Sequence, residues 1–150
     1  MKPQAIRSAE DGFFPRLFRN LDMKSVQFDF GKLHIDDHII IGEISHGHHV
    51  GIDVVSKITQ TAHKFFHGEP WAYISNRKHS FSANPLVHQL ASKFEKNMLV
   101  FAVVAQRPLT RNVAKLEENF KGQGYDFIIC NSLPEAEEQV KNILNAALNR

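Results

Sequence analysis

The chain has 150 residues, 43% hydrophobic and 23% charged, with 18 basic side chains against 16 acidic ones. That length fits one globular domain, at roughly 100–200 residues per domain, and excludes two. A net charge of +2 is too small for a general grip on nucleic acid, and a single cysteine, Cys130, excludes an intrachain disulfide.

Glu10 and Asp11 interrupt the N-terminal stretch before an apolar segment forms, so no secretory signal is expected. The longest apolar runs, Met98–Ala105 and Ile39–Ile41, fall short of a membrane span. Together with the lone thiol these features point to a cytoplasmic protein that does not cross a membrane.

Residues 1–25 are expected to form an N-terminal extension. Within it Phe14, Leu17, Phe18 and Leu21 recur at helical spacing, with Asp11 as a cap. A short helix docked on its own domain is the plain reading; a partner-docking, dimer or membrane-surface helix is the sharper one. The domain proper then occupies 26–150. Val26, Phe28 and Phe30 alternate with polar residues as in a half-buried strand, which continues past a bulge at Gly31 to Ile35. Asp36-Asp37 reads as a turn, and His38–Ser45 as an antiparallel second strand.

Val50–His67 carries Val54, Ile58, Ala62, Phe65 and Phe66 on one helical face and stops at Gly68-Glu69-Pro70. Trp71–Ser75 is a short strand, and 76–84 a polar loop. Pro85 introduces a short helix with Leu86, Val87, Leu90 and Phe94 as its buried stripe. Met98–Ala105 is a central strand covered on both faces. Leu109, Val113, Leu116 and Phe120 line one face of the next helix, and Tyr125–Cys130 is the last strand. Ser132 with Glu135 forms a capping box that opens the final helix, marked by Leu133, Ala136, Val140, Ile143, Leu144 and Ala147. Strands alternating with helices predict an α/β domain: a five-stranded, mostly parallel sheet opening with an antiparallel pair, and four helices.

Ile39-Ile40-Ile41-Gly42-Glu43, Trp71-Ala72-Tyr73-Ile74-Ser75-Asn76-Arg77 and Phe101-Ala102-Val103-Val104-Ala105 sit in a layout that resembles the STAS domain. The resemblance covers residues 26–148 and is nearest to the SpoIIAA-like (STAS/SEC14-like) group of small bacterial proteins. It implies a layered α/β fold and a regulatory protein–protein interaction. In the anti-sigma factor antagonists of this fold, a Ser that follows an Asp in the loop after the third strand is phosphorylated to release a partner kinase. The matching stretch here is His79-Ser80-Phe81-Ser82-Ala83-Asn84-Pro85, in which Ser80 and Ser82 are nearby and the Asp-Ser pair is absent. The resemblance implies a fold more than a function.

Open α/β sheets bind ligands outside the carboxyl ends of their parallel strands. The residues expected there are His46, His48 and His49 after the second strand, Asn76, Arg77, Ser80 and Ser82 after the third, and Arg107 after the fourth. With four helix N-termini they would make an edge for phosphate, carboxylate or an acidic loop of a partner; a solvated loop surface is the bland alternative. His46, His48 and His49, or His63 and His67 at i, i+4, invite a metal reading, but no zincin Glu follows His63, and the two groups lie too far apart along one helix to share an ion. Surface or helix-capping roles are preferred, and no metal or cofactor is expected. No nucleophile elbow or dinucleotide fingerprint occurs, so no catalytic residue is assigned. Glu43 is expected to face solvent or pair with a Lys or Arg.

No specific activity is legible. The leading expectation is a non-enzymatic STAS-type module that docks a protein partner or a small anionic ligand at the edge formed by 45–49 and 76–82. It would bind no nucleic acid, and its oligomeric state is open. The rivals are a SEC14-like carrier of an apolar or lipid-like ligand, and a small hydrolase using the His-rich loop.

Overall fold

The structure, a computed structural model, describes residues 23–149. The expected N-terminal helix lies outside them. The elements in chain order are β1 (Lys24–Phe28), β2 (Gly31–Asp36), β3 (Ile39–Ile44), β4 (His49–Val50), α1 (Ile52–Phe66), β5 (Trp71–Asn76), β6 (Ser82–Ala83), α2 (Val87–Phe94), β7 (Met98–Val104), α3 (Pro108–Glu118), β8 (Asp126–Cys130) and α4 (Leu133–Leu148).

Six strands form the main sheet in the order β1-β2-β3-β5-β7-β8. The first three pair antiparallel, and β3, β5, β7 and β8 run parallel. The α/β class and the four helices match expectation. The strand count does not: the expected first strand is two. Phe28 pairs with Gly31 across a two-residue turn, Asp29-Phe30, where a bulge was expected. A Cβ at Gly31 would lie 2.2 Å from the Glu43 carbonyl oxygen, and Gly31 has φ +146°. Only glycine lets the chain reverse this close to β3. The second turn falls at Asp37-His38, one residue later than read, with His38 at φ 60°. Strand β1 starts at Lys24, so Lys24 and Ser25 belong to the sheet and not to the extension.

Strand alternation divides the core into two layers. On one face Ile39, Ile41, Ala72, Ile74, Val100, Ala102, Val104 and Cys130 meet Ala136, Val140 and Leu144 of α4. On the other, Leu33, Ile35, Ile40, Ile44, Trp71, Tyr73, Val103 and Phe127 meet Val54, Ile58, Ala62 and Phe66 of α1 and Ala114 of α3, while α2 packs beside α1. The Ser132 half of the expected capping box forms, with Ser132 Oγ accepting from Glu135 N at 3.2 Å, while Glu135 Oε1 accepts from Asn131 N at 2.8 Å, one residue before the cap.

Two helices are rotated from the expected orientation. Leu109, Val113, Leu116 and Phe120 do not pack on the sheet; Leu109 is 75% and Leu116 63% exposed. Helix α3 turns Ala114 and Glu117 inward instead. In α2 Leu86 and Leu90 are exposed as well, and Val87 and His88 are buried. On α3 one inward position is taken by Glu117, whose partner is Arg77.

Candidate functional site

Alternation along β5 decides which way its last residues point. Trp71, Tyr73 and Ser75 face the α1–α3 layer, and Ala72, Ile74 and Asn76 face α4. Arg77 continues the first set. Its side chain is 6% exposed, against 8% for its partner Glu117. Arg77 Nη1 donates to Glu117 Oε2, and Nη2 to Oε1 at 2.9 Å. Arg77 Nε donates to Ser75 Oγ at 3.0 Å, and the guanidinium lies 5.2 Å from the Phe81 ring centroid. His88 Nε2, on the inward side of α2, donates to Glu117 Oε1 at 3.0 Å. This two-toothed, charge-assisted pair occupies the inward side of α3, and the apolar stripe of that helix lies outward.

Burial raises the Glu117 carboxyl, but the hydrogen bonds from Arg77 and His88 outweigh it and hold the pKa at about 2. A second buried carboxylate, Glu95, sits near the other end of β5. It accepts from Trp71 Nε1 at 2.7 Å, His63 Nε2 at 2.7 Å and Asn97 N at 3.1 Å. His63, weighed above as a metal ligand, is thus a partner of Glu95. His67 takes the left-handed cap position of α1 at φ 54°. Among the described residues no group of three or more His, Cys, Asp or Glu could hold a metal ion.

Between these two carboxylates, under α1 and α2, lies a narrow apolar cavity of about 70 Å³. Ile44, Ile58, Trp71, Tyr73, Val87 and Phe101 are among its walls. Burial drives the Tyr73 hydroxyl well above the ordinary phenol range, against the opposing charge of Arg77. That hydroxyl stands over Gly42, where a Cβ would lie 1.8 Å from it.

The two loops expected to form the binding edge do meet. Gly47 N donates to Ser80 O at 2.8 Å, and Ser82 N to His48 O at 3.0 Å. Strands β4 and β6 pair His49 with Ser82 and Val50 with Ala83; the first helix was read as starting at Val50, which is in this ladder. His49 Nδ1 and Ser82 Oγ are 2.8 Å apart. Outside the strap, the 77–85 loop and α3 enclose an open groove of about 460 Å³. Its walls include Ser80, Phe81, Ser82, Arg107, Leu109 and Leu116.

The eight expected site residues therefore separate. Ser80, Ser82 and Arg107 line the groove, with Arg77 and Glu117 at its floor. His49 ties the strap, His46 is exposed and His48 half-buried. Asn76 is buried on the opposite face, 3.5 Å from Glu43. Arg77 is the main correction: it is spent on Glu117 inside the domain and is no exposed cation for an anion. Glu43 pairs with Lys78 at 3.1 Å, as expected, and with His34 at 3.4 Å. Burial raises the Glu43 carboxyl, but Lys78 and His34 bring it below its ordinary range. Glu117, His88 and Glu95 were missed. Glu117 stands three residues after Ala114 on the inward face, but the stronger apolar stripe beside it masked that signal.

Three comparisons bear on identity. No protein-family model matches the chain, and no curated protein or solved structure does. No helix among the described residues is long and apolar enough to cross a membrane.

Proposed function

We propose that the protein is a non-enzymatic binding module of the STAS type that docks a protein partner along the groove between the 77–85 loop and α3. The observation that carries this reading is the outward stripe of Leu109, Val113, Leu116 and Phe120. A row of four large apolar side chains at helical spacing is costly to leave in water and fits the apolar face of a partner helix. Arg107 and His79 line the same groove and Lys115 is exposed on α3, which favours acidic residues flanking that face. The antiparallel opening and the βα repeats that follow support the STAS resemblance. With Arg77 neutralised, docking of a protein is favoured over capture of a small anion. The interior cavity, at about 70 Å³, is far below the roughly 300–1,000 Å³ of drug-sized ligand sites, so docking is also favoured over carriage of a long-chain lipid.

The test is photo-crosslinking in the native host, with the reactive side chain placed at Val113 and, as control, at Gln139 on α4. The expected result is a discrete adduct from position 113 alone, lost on adding Leu109→Asp and Leu116→Asp. Adducts equal from both positions, or from neither, would overturn the reading.

A further inference from the structure

The partly open cavity under α1 and α2 is bounded on one side by the β4–β6 strap and carries an unspent phenol. Val50 and Ala83, the inner pair of the β4–β6 ladder, both line it, as does Phe81. The ladder has two residue pairs. The strap is thus the least secured part of the cavity wall, where the main sheet and α1 are held by continuous ladders and helix turns.

The polar side chains in the wall are otherwise committed. Glu95 takes three hydrogen bonds, from Trp71, His63 and Asn97. Glu117 is held by Arg77 and His88, and Ser75 accepts from Arg77. Thr59 donates to Ser56 O, and Tyr125 Oη accepts from Gly122 N. Among the described residues Tyr73 Oη has no hydrogen-bond partner, although Tyr73 is 4% exposed, and the one other such atom in this wall is His88 Nδ1, on a ring whose Nε2 is held by Glu117. A wall whose charges are internally paired offers nothing to a charged ligand, and a buried phenol calls for one acceptor or donor oxygen. The volume of about 70 Å³ is about half of the roughly 150 Å³ engineered cavity that holds benzene.

We propose that this cavity is a binding site for a small neutral apolar molecule carrying one carbonyl or hydroxyl oxygen, admitted past the β4–β6 strap and oriented by Tyr73. The site is separate from the outer groove and does not depend on the docking reading.

Xenon and ethanol serve as probes, without and with an oxygen, followed by methyl and indole NMR on the full chain. Trp71, the one tryptophan, lies in the wall and reports directly. Saturable shifts of Trp71, Ile44, Ile58 and Val87 are expected with both probes. Ala91→Leu, which fills the cavity, should abolish them, and Leu116→Asp in the groove should leave them unchanged. Tyr73→Phe should spare xenon and weaken ethanol by about tenfold, the worth of one neutral hydrogen bond. Should Ala91→Leu fail to fold, Ala83→Val on the strap is the blocking variant. Shifts that rise without saturating, or that survive the blocking variant, would overturn the site. Equal loss of both probes in Tyr73→Phe would overturn the role of the hydroxyl.

Discussion

The two faces of the sheet are built from different materials. Under α4 the layer is mainly aliphatic, with Ile39, Ile41, Ile74, Val100 and Val104 against Val140 and Leu144, although this side also buries Asn76 and the Glu137 of α4. Under α1–α3 it is aromatic, with Phe101 stacked at 5.3 Å on Tyr73 and at 5.4 Å on Phe127, and it holds Arg77, His88, Glu95 and Glu117. Branched aliphatic side chains interdigitate closely, whereas rigid rings and paired ions meet only at set distances and leave space between them. The cavity and the groove both lie on the aromatic side.

The largest expected effect that sharpens this contrast is Glu117→Ala. It leaves the Arg77 guanidinium buried without its counter-ion, and should cost about 4 kcal/mol in urea unfolding. On the aliphatic face Leu144→Ala should cost about 3 kcal/mol, through a cavity and not through charge. Acid unfolding separates the two causes. The Glu117 pKa is depressed from 4.5 to about 2 in the folded protein. Its stabilisation is therefore complete above pH 4.5 and disappears as pH falls through about 2. The gap in stability between the wild type and Glu117→Gln should close by about 3 kcal/mol across that window, while the gap to Leu144→Ala stays constant. Parallel closing of both gaps would break the distinction between the faces. The smallest effect is expected for Leu116→Ser on the outward stripe of α3, within about 0.5 kcal/mol of the wild type by urea unfolding. A loss of several kcal/mol there would mean that the stripe packs within the domain after all.

Cys130 belongs to the aliphatic face. It is buried at the end of β8. Burial and then the charge of Glu135 push its thiol up to about 11, against the opposing effect of Arg111. At neutral pH it is a packed, protonated side chain.

How far the sequence was legible follows from the range of each signal. The α4 helix and its cap were readable because Ser132, Glu135 and the periodic apolar residues are all local to one helix. The strand at Met98–Val104 was readable because burial on both faces leaves a continuous apolar run. The turn at Asp29-Phe30 was missed because Gly31 answers to the Glu43 carbonyl, a contact twelve residues away in sequence. The binding edge was half legible: strand ends locate the 45–49 and 77–85 loops, but not which side chains turn inward. Alternation along β5 would have placed Arg77 opposite Asn76 had the strand been carried one residue past its polar end.

By itself the sequence determined the four helices and the strands β3, β5, β7 and β8 in their order, because apolar periodicity and capping act within a few residues, whereas the β1–β2 turn and the short β4 and β6 strands rest on pairing between segments. It also determined that the two loops share one edge, since parallel strands must end on the same side. The rotation of α3, the inward Arg77–Glu117 pair, the cavity beneath the strap and the outward leucine stripe were decided only in the tertiary structure. Each rests on contacts between residues far apart in the chain, such as the Arg77–Glu117 pair forty residues apart, and local periodicity carries no signal for these.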